Sequence, residues 1–160
     1  MTVLHLGVVD IPYARVPVEY KAHRRKAGAA GTATTGDVAE WLENKYHVME
    51  VFFEARQEAI AGFVEHSLQG ALESVLMGGP PGSPFKQAEA DIDTEFRHFL
   101  SSGEIETFGI PGVPTKAAQM GVNHRKKSGF NRRKGGKPTP RPSFIDTGLY
   151  EASQKSWFDE

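Results

Sequence analysis

Apolar positions recur with two different periods along this chain, and each change of period marks an element. From Thr2 to Ile11 the run TVLHLGVVDI is aliphatic and β-branched and stops at Pro12. Val3, His5, Gly7 and Val9 fall on one face and Leu4, Leu6 and Val8 on the other, which predicts one strand over 2–11 with both faces at least partly covered. Residues 12–36 lose the pattern: prolines, KAHRRK and AGAAGTATTG read as a flexible loop.

A helical period follows, and residues 37–102 form the predicted helical body. TTGDVAEWLE offers Thr and Asp as caps and acids in its first turn. Val38, Trp41, Leu42, Tyr46, Met49, Phe52 and Phe53 recur at three- and four-residue spacing, and then Ile60, Phe63, Val64, Leu68, Leu72, Val75 and Leu76. So long a run predicts a break near Lys45–Val48 and a second helix to Met77. GGPPGSP at 78–84 ends it. A further amphipathic helix is predicted over 85–102, with Phe85, Ala88, Ile92, Phe96, Phe99 and Leu100 as its stripe. The short connection makes antiparallel packing on the preceding helix the expectation. Residues 103–142 are irregular, with one helical turn predicted from Thr115. In 143–160, Phe144, Ile145, Leu149, Tyr150, Trp157 and Phe158 form an apolar ending that is expected to dock on the core.

Composition bounds this picture. The chain has 160 residues, enough for a single domain with a core. It has 17 glycines, 10 prolines and no cysteine, so disulfides and thiolate chemistry are excluded. No apolar run is long enough to span a bilayer, and the first residues lack the pattern of a signal peptide, which predicts synthesis in the cytoplasm and no membrane partner. A net charge of −1 hides an asymmetry: residues 37–107 carry fourteen acids against four bases, whereas 124–142, HRKKSGFNRRKGGKPTPRP, carry eight bases and no acid. Arg24, Arg25, Arg125, Lys126, Lys127, Arg132, Arg133 and Lys134 are therefore the candidate interface residues.

No chemistry-bearing motif survives its context. Ile145-Asp146-Thr147-Gly148 has the form of an aspartic-protease loop, but that loop needs a β-rich body and a downstream scaffold, and here the body is helical. Asp146, Thr147 and Gly148 read instead as a structural turn, with Asp146 or Thr147 as the cap of a short helical turn. Glu95 and His98 have the spacing of a di-iron ligand pair but no matching second pair. Glu50, Glu54 and Glu58 read as a solvated helix face, and His47 pairs locally with Glu43 or Glu50. GGPPGSP lacks the Lys-Ser/Thr of a phosphate loop, and Ser, His and Asp form no nucleophile elbow. No catalytic, cofactor-binding or metal-ligating residue is expected.

The order of features says more than any one of them. An apolar strand leads through a Thr-Gly loop to Val38-Ala39-Glu40 and Glu43. A long helix follows, then GVPTKAAQMGVNHRKK, and last Ile145-Asp146-Thr147-Gly148-Leu149 with Ser153. This order resembles the tail-completion, head–tail joining and related neck or minor tail proteins of tailed bacteriophages. The chain departs from that pattern after Glu43, where it runs into NKYHVMEVFFEAR. The resemblance implies a structural virion protein and no enzyme. It would sit in the neck or tail, form a homo-oligomeric ring and meet neighbouring connector or tail proteins, with DNA in the ring lumen as a further contact. It also implies an α+β fold, in which the N-terminal strand pairs with the C-terminal segment in a small sheet beside a long helical hairpin. The loop 12–36 and the arm 124–142 would reach neighbouring subunits. A different class is open as well: with Phe130 among its bases, the arm suits phosphate contacts of a nucleic-acid-binding protein.

Overall fold

A computed structural model describes residues 2–12, 34–80, 82–121, 140–145 and 148–159. It begins with strand β1, Leu4–Val8, followed by helices α1, Thr35–Tyr46, and α2, Val48–Leu76. Helix α3, Lys86–Ser101, turns back along α2, and a 3-10 helix spans Glu104–Phe108. The short helices α4, Lys116–Gln119, and α5, Leu149–Ser153, precede strand β2, Gln154–Phe158. β1 and β2 pair antiparallel in a two-stranded sheet, with Leu6 opposite Ser156. The fold is thus α+β, a long helical hairpin with a small sheet made from both ends of the chain.

Local chemistry explains where the helices begin and end. Thr34 and Asp37 form a reciprocal capping box: the Asp37 amide donates to the Thr34 hydroxyl at 3.2 Å, and the Thr34 amide donates to Asp37 Oδ2 at 2.8 Å. Asp10 joins this junction and accepts from the Gly36 amide at 3.0 Å. Bonds from the Thr34 side chain and the Gly36 amide hold its carboxyl below the ordinary value. The break falls at His47, in the left-handed region at φ 51°, inside the predicted Lys45–Val48 window. Glu43, from the last turn of α1, then caps α2 by accepting from the amides of Met49 at 2.8 Å and Glu50 at 3.2 Å. A carboxylate there satisfies orphan donors and meets the positive end of the helix. The chain enters α5 through Gly148, at φ 72°, a left-handed position that glycine takes without strain; Asp146 and Thr147, the predicted caps, lie outside the described residues.

The core lies at the base of the hairpin. Phe52 of α2 meets Phe96 edge-on at 5.0 Å and Phe99 at 5.5 Å, and Ile92, Leu100 and Ile105 are fully buried beside them. Every apolar position predicted for α3 from Ala88 to Leu100 is buried. Arg56 of α2 binds Glu95 of α3 at 2.7 Å and also Glu104, so one guanidinium ties three elements together.

The C-terminal element docks through polar as well as apolar contacts. Asp93, 4% exposed, accepts at Oδ1 from the Ser156 amide at 2.7 Å and its hydroxyl at 2.9 Å, while Oδ2 takes Lys155 Nζ at 3.0 Å. Glu89, one turn earlier, accepts from the Phe158 amide at 3.2 Å. Phe158 stacks on Phe85 at 4.5 Å, and Tyr150 is buried against Phe96. Upstream, Glu106 accepts from the Ser143 amide and hydroxyl, both at 2.8 Å, and fixes the entry to this segment. Trp157 departs from the expectation that it docks: it is 44% exposed because it lies on the outer face of the sheet, stacked on His5 and seated over Gly7.

Candidate assembly surfaces

The second half of α2 continues the predicted apolar period into solvent. Ser67 marks the level at which α3 begins, donating to the Pro84 carbonyl at 2.6 Å and accepting from the Ala88 amide at 3.3 Å. Gly70 and Ala71 still share a groove with Lys86, Gln87 and Ala90 of α3, but among the described residues no helix runs beside residues 72–76. At 1.5 Å per residue they carry the tip of α2 roughly 8 Å past its partner. The apolar period continues regardless. Leu72 is 61% exposed, Leu76 76% and Met77 91%, and Leu68 and Val75 are also exposed. The opposite side of the tip is built from Gly70, Ala71 and Ser74. There the return loop approaches so closely that a side chain on Gly79 would meet the Ser74 hydroxyl at 2.5 Å. Small residues thus seat the loop, with Leu68, Leu72 and Val75 on the opposite face and Leu76 and Met77 at the end of the helix beside Gly70 and Ser74. Trp41 and Phe53, which belong to the same three- and four-residue period, are exposed as well.

A second apolar surface is the outer face of the sheet. Val3, Val9 and Trp157 are exposed there, and Ile11 just beyond it. His5 Nε2 lies 2.7 Å from Asp159 Oδ2 at its rim. The inner residues Leu4, Leu6, Val8 and Phe158 pack against the core, so the alternation read from the sequence separates the two faces correctly.

One polar cluster gathers at the elbow between α1 and α2. Glu43, His47 and Glu50 can bring ligand atoms within 4.8 Å of one another. Both Glu43 oxygens are engaged as the cap of α2, His47 pairs with Glu50 at 2.9 Å, and the positive end of α2 opposes a cation. Local pairing accounts for the cluster. Glu95 is committed to Arg56, and His98 is exposed, so the Glu-x-x-His pair does not converge inward.

The sequence-predicted interface residues Arg24, Arg25, Arg125, Lys126, Lys127, Arg132, Arg133 and Lys134 lie outside the described residues, as do Asp146 and Thr147. Of the predicted turn, Gly148 is described. The two segments that carried the resemblance meet in space, with α1, which holds Val38-Ala39-Glu40 and Glu43, against α5, which ends in Ser153. Among the described residues no helix is long and apolar enough to cross a membrane. No protein-family profile, curated protein or solved structure matches the chain.

Proposed function

We propose that this chain is a structural assembly protein, a ring-forming component of the neck or tail of a tailed-phage virion, acting through surfaces rather than chemistry. The observation that carries the assembly part of this reading is the projecting tip of α2. Leu68, Leu72, Val75 and Leu76 recur at helical spacing along the projecting end of α2 and are exposed, as is Met77 at its C-cap, and among the described residues no helix covers them. Exposed apolar surface gathered in this way marks an interaction site in a folded protein. The order of sequence features supplies the virion setting, and the contact between α1 and α5 is in keeping with it. The partners would be further copies of the chain and neighbouring connector or tail proteins, and the place of action the virion. DNA in the ring lumen would be met by the basic arm.

Nucleic-acid binding as the main role is the second reading, favoured by the eight bases and no acid of residues 124–142. Native mass spectrometry across a concentration series, with an electrophoretic shift assay on duplex DNA at low and moderate salt, separates the two. The assembly reading expects discrete homo-oligomers that form without DNA. A chain that stays monomeric at every concentration, and whose DNA affinity falls steeply with salt, would replace it with the second.

A further inference from the structure

The two strands of the sheet have very different outer edges. Val9 donates to the Ser153 carbonyl at 2.7 Å and Asp159 to the Val3 carbonyl at 3.1 Å. With Leu4 opposite Phe158, these bonds fix the phase of the ladder. Val3, His5, Gly7 and Val9 turn their backbone groups toward β2, and Leu4, Leu6 and Val8 turn theirs away from it. On β2 the same phase turns the amides of Ser156 and Phe158 outward, where Asp93 and Glu89 accept them. That edge is closed by two carboxylates of α3. On β1 the amides and carbonyls of Leu4, Leu6 and Val8 have no hydrogen-bond partner among the described residues.

Native proteins usually blunt such an edge with lysine, proline or a bulge. The segment Val3–Val9 has no proline and no Lys, Arg, Asp or Glu. We infer that β1 is a pairing edge, and that its occupant is β1 of a second copy of this chain, antiparallel and centred on Leu6. In that register Leu6 faces Leu6 and Leu4 faces Val8, so every outward amide of either strand meets an outward carbonyl of the other. Opposed residues share a face, so the inner residues Leu4, Leu6 and Val8 of both copies stay on one side and His5, Gly7 and Trp157 on the other. The two small sheets become one four-stranded sheet with closed carboxylate edges at both ends. The absence of ionic side chains favours a second copy over a charged partner, because nothing on the strand repels its own image. The contact is isologous, so within a larger assembly it joins subunits, or rings, in pairs.

This inference rests on the assembly reading but fails separately from it. Five residues a side fall well short of the roughly 20–30 of a standard stable interface, so the contact is read over a concentration series. Proline at position 4 or 8 removes only an outward donor, which an edge strand tolerates. Val8→Pro is compared with Val8→Ala, and Leu4→Pro with Leu4→Ala, by sedimentation velocity. Each alanine variant controls for lost packing, and circular dichroism checks folding. Amide exchange of the wild-type chain is followed by NMR at the same concentrations. The expected result is loss of the β1-mediated species in the proline variants and its retention in the alanine variants. The amides of Leu4, Leu6 and Val8 should exchange freely when dilute and become protected as the chain assembles, while those of Ser156 and Phe158 stay protected throughout. If the chain assembles but each proline variant matches its alanine control, or these amides never gain protection, the β1 contact is wrong and the assembly reading stands. If they are protected already in the monomer, the edge is covered within the subunit and the inference fails. A wild-type chain that never associates overturns both.

Discussion

The base and the tip of α2 follow the same apolar period and end in opposite environments. At the base, Val48, Phe52 and Ile60 are buried under α3 and the 3-10 helix. At the tip, Leu68, Leu72, Val75 and Leu76 continue the period into solvent. Periodicity reports that a face is apolar; it does not report what covers it. The length of the opposing helix decides that, and α3 has 16 residues against the 29 of α2. The base is therefore a folding device. The tip contributes little to the fold of the subunit, and its apolar character points to contacts outside it.

Substitutions at the base should break the comparison most sharply. Phe96→Ala removes a ring that touches Phe52 and Tyr150 and should destabilise the chain by about 3–5 kcal/mol, measured by urea denaturation. Where the domain is only marginally stable, the variant will be molten, with its near-UV circular dichroism lost.

Next in size is the docking of the C-terminal strand. Asp93→Ala leaves the Ser156 amide without its acceptor in a buried position, while the Ser156 hydroxyl keeps the Glu89 carbonyl at 2.9 Å. A loss of about 1–3 kcal/mol is expected. Local exchange of the β2 amides should rise more than that of the Phe52 and Phe99 amides, since the strand is the part released.

Gln154 offers a test of opposite sign. Its side chain is fully buried, and among the described residues neither amide atom has a hydrogen-bond partner. Such a group is destabilising relative to an apolar one of similar shape. Gln154→Met should therefore raise the thermal midpoint, by the equivalent of about 1 kcal/mol. An unchanged or lowered midpoint would mean that the amide is satisfied in solution, for example by an internal water.

The smallest effect on the isolated subunit belongs to the tip. Leu72→Asp with Leu76→Asp should change its stability by no more than about 0.5 kcal/mol, as surface substitutions do. The same pair should abolish the tip-mediated part of self-association in sedimentation velocity.

How much of this was legible in the sequence differs from element to element. The α3 stripe was, because a 16-residue helix with one apolar face has one way to lie down. The Thr and Asp caps of α1 and the break at His47 were legible too, since capping is a local signal and the apolar run was too long for one uninterrupted helix. The clamp on β2 was not. Asp93 stands seven residues before Leu100 on the same helix face, and a carboxylate on an apolar face was the available signal. Nothing local, however, says that a strand 63 residues later will bring the donors. Trp157 was misassigned because an apolar side chain was expected to dock on its own core, whereas sheet pairing turns it outward. The exposure of the α2 leucines was not legible, because a helical period does not report how long the opposing helix is. The basic residues named as interface candidates rest on charge pattern alone, because they lie outside the described residues.

The central claim is that the α2 tip is covered by another subunit, and it can be read at a single thiol. The chain has no cysteine, so Leu72→Cys introduces one probe at the middle of the tip, and Asn44→Cys on the exposed surface of α1 serves as control. Thiol labelling rates are measured from dilute to assembling concentrations. The account predicts that Cys at position 72 labels freely when dilute and slows at least tenfold as oligomers form, while the control at position 44 keeps its rate. Oligomers in which position 72 labels as fast as in the monomer would contradict it.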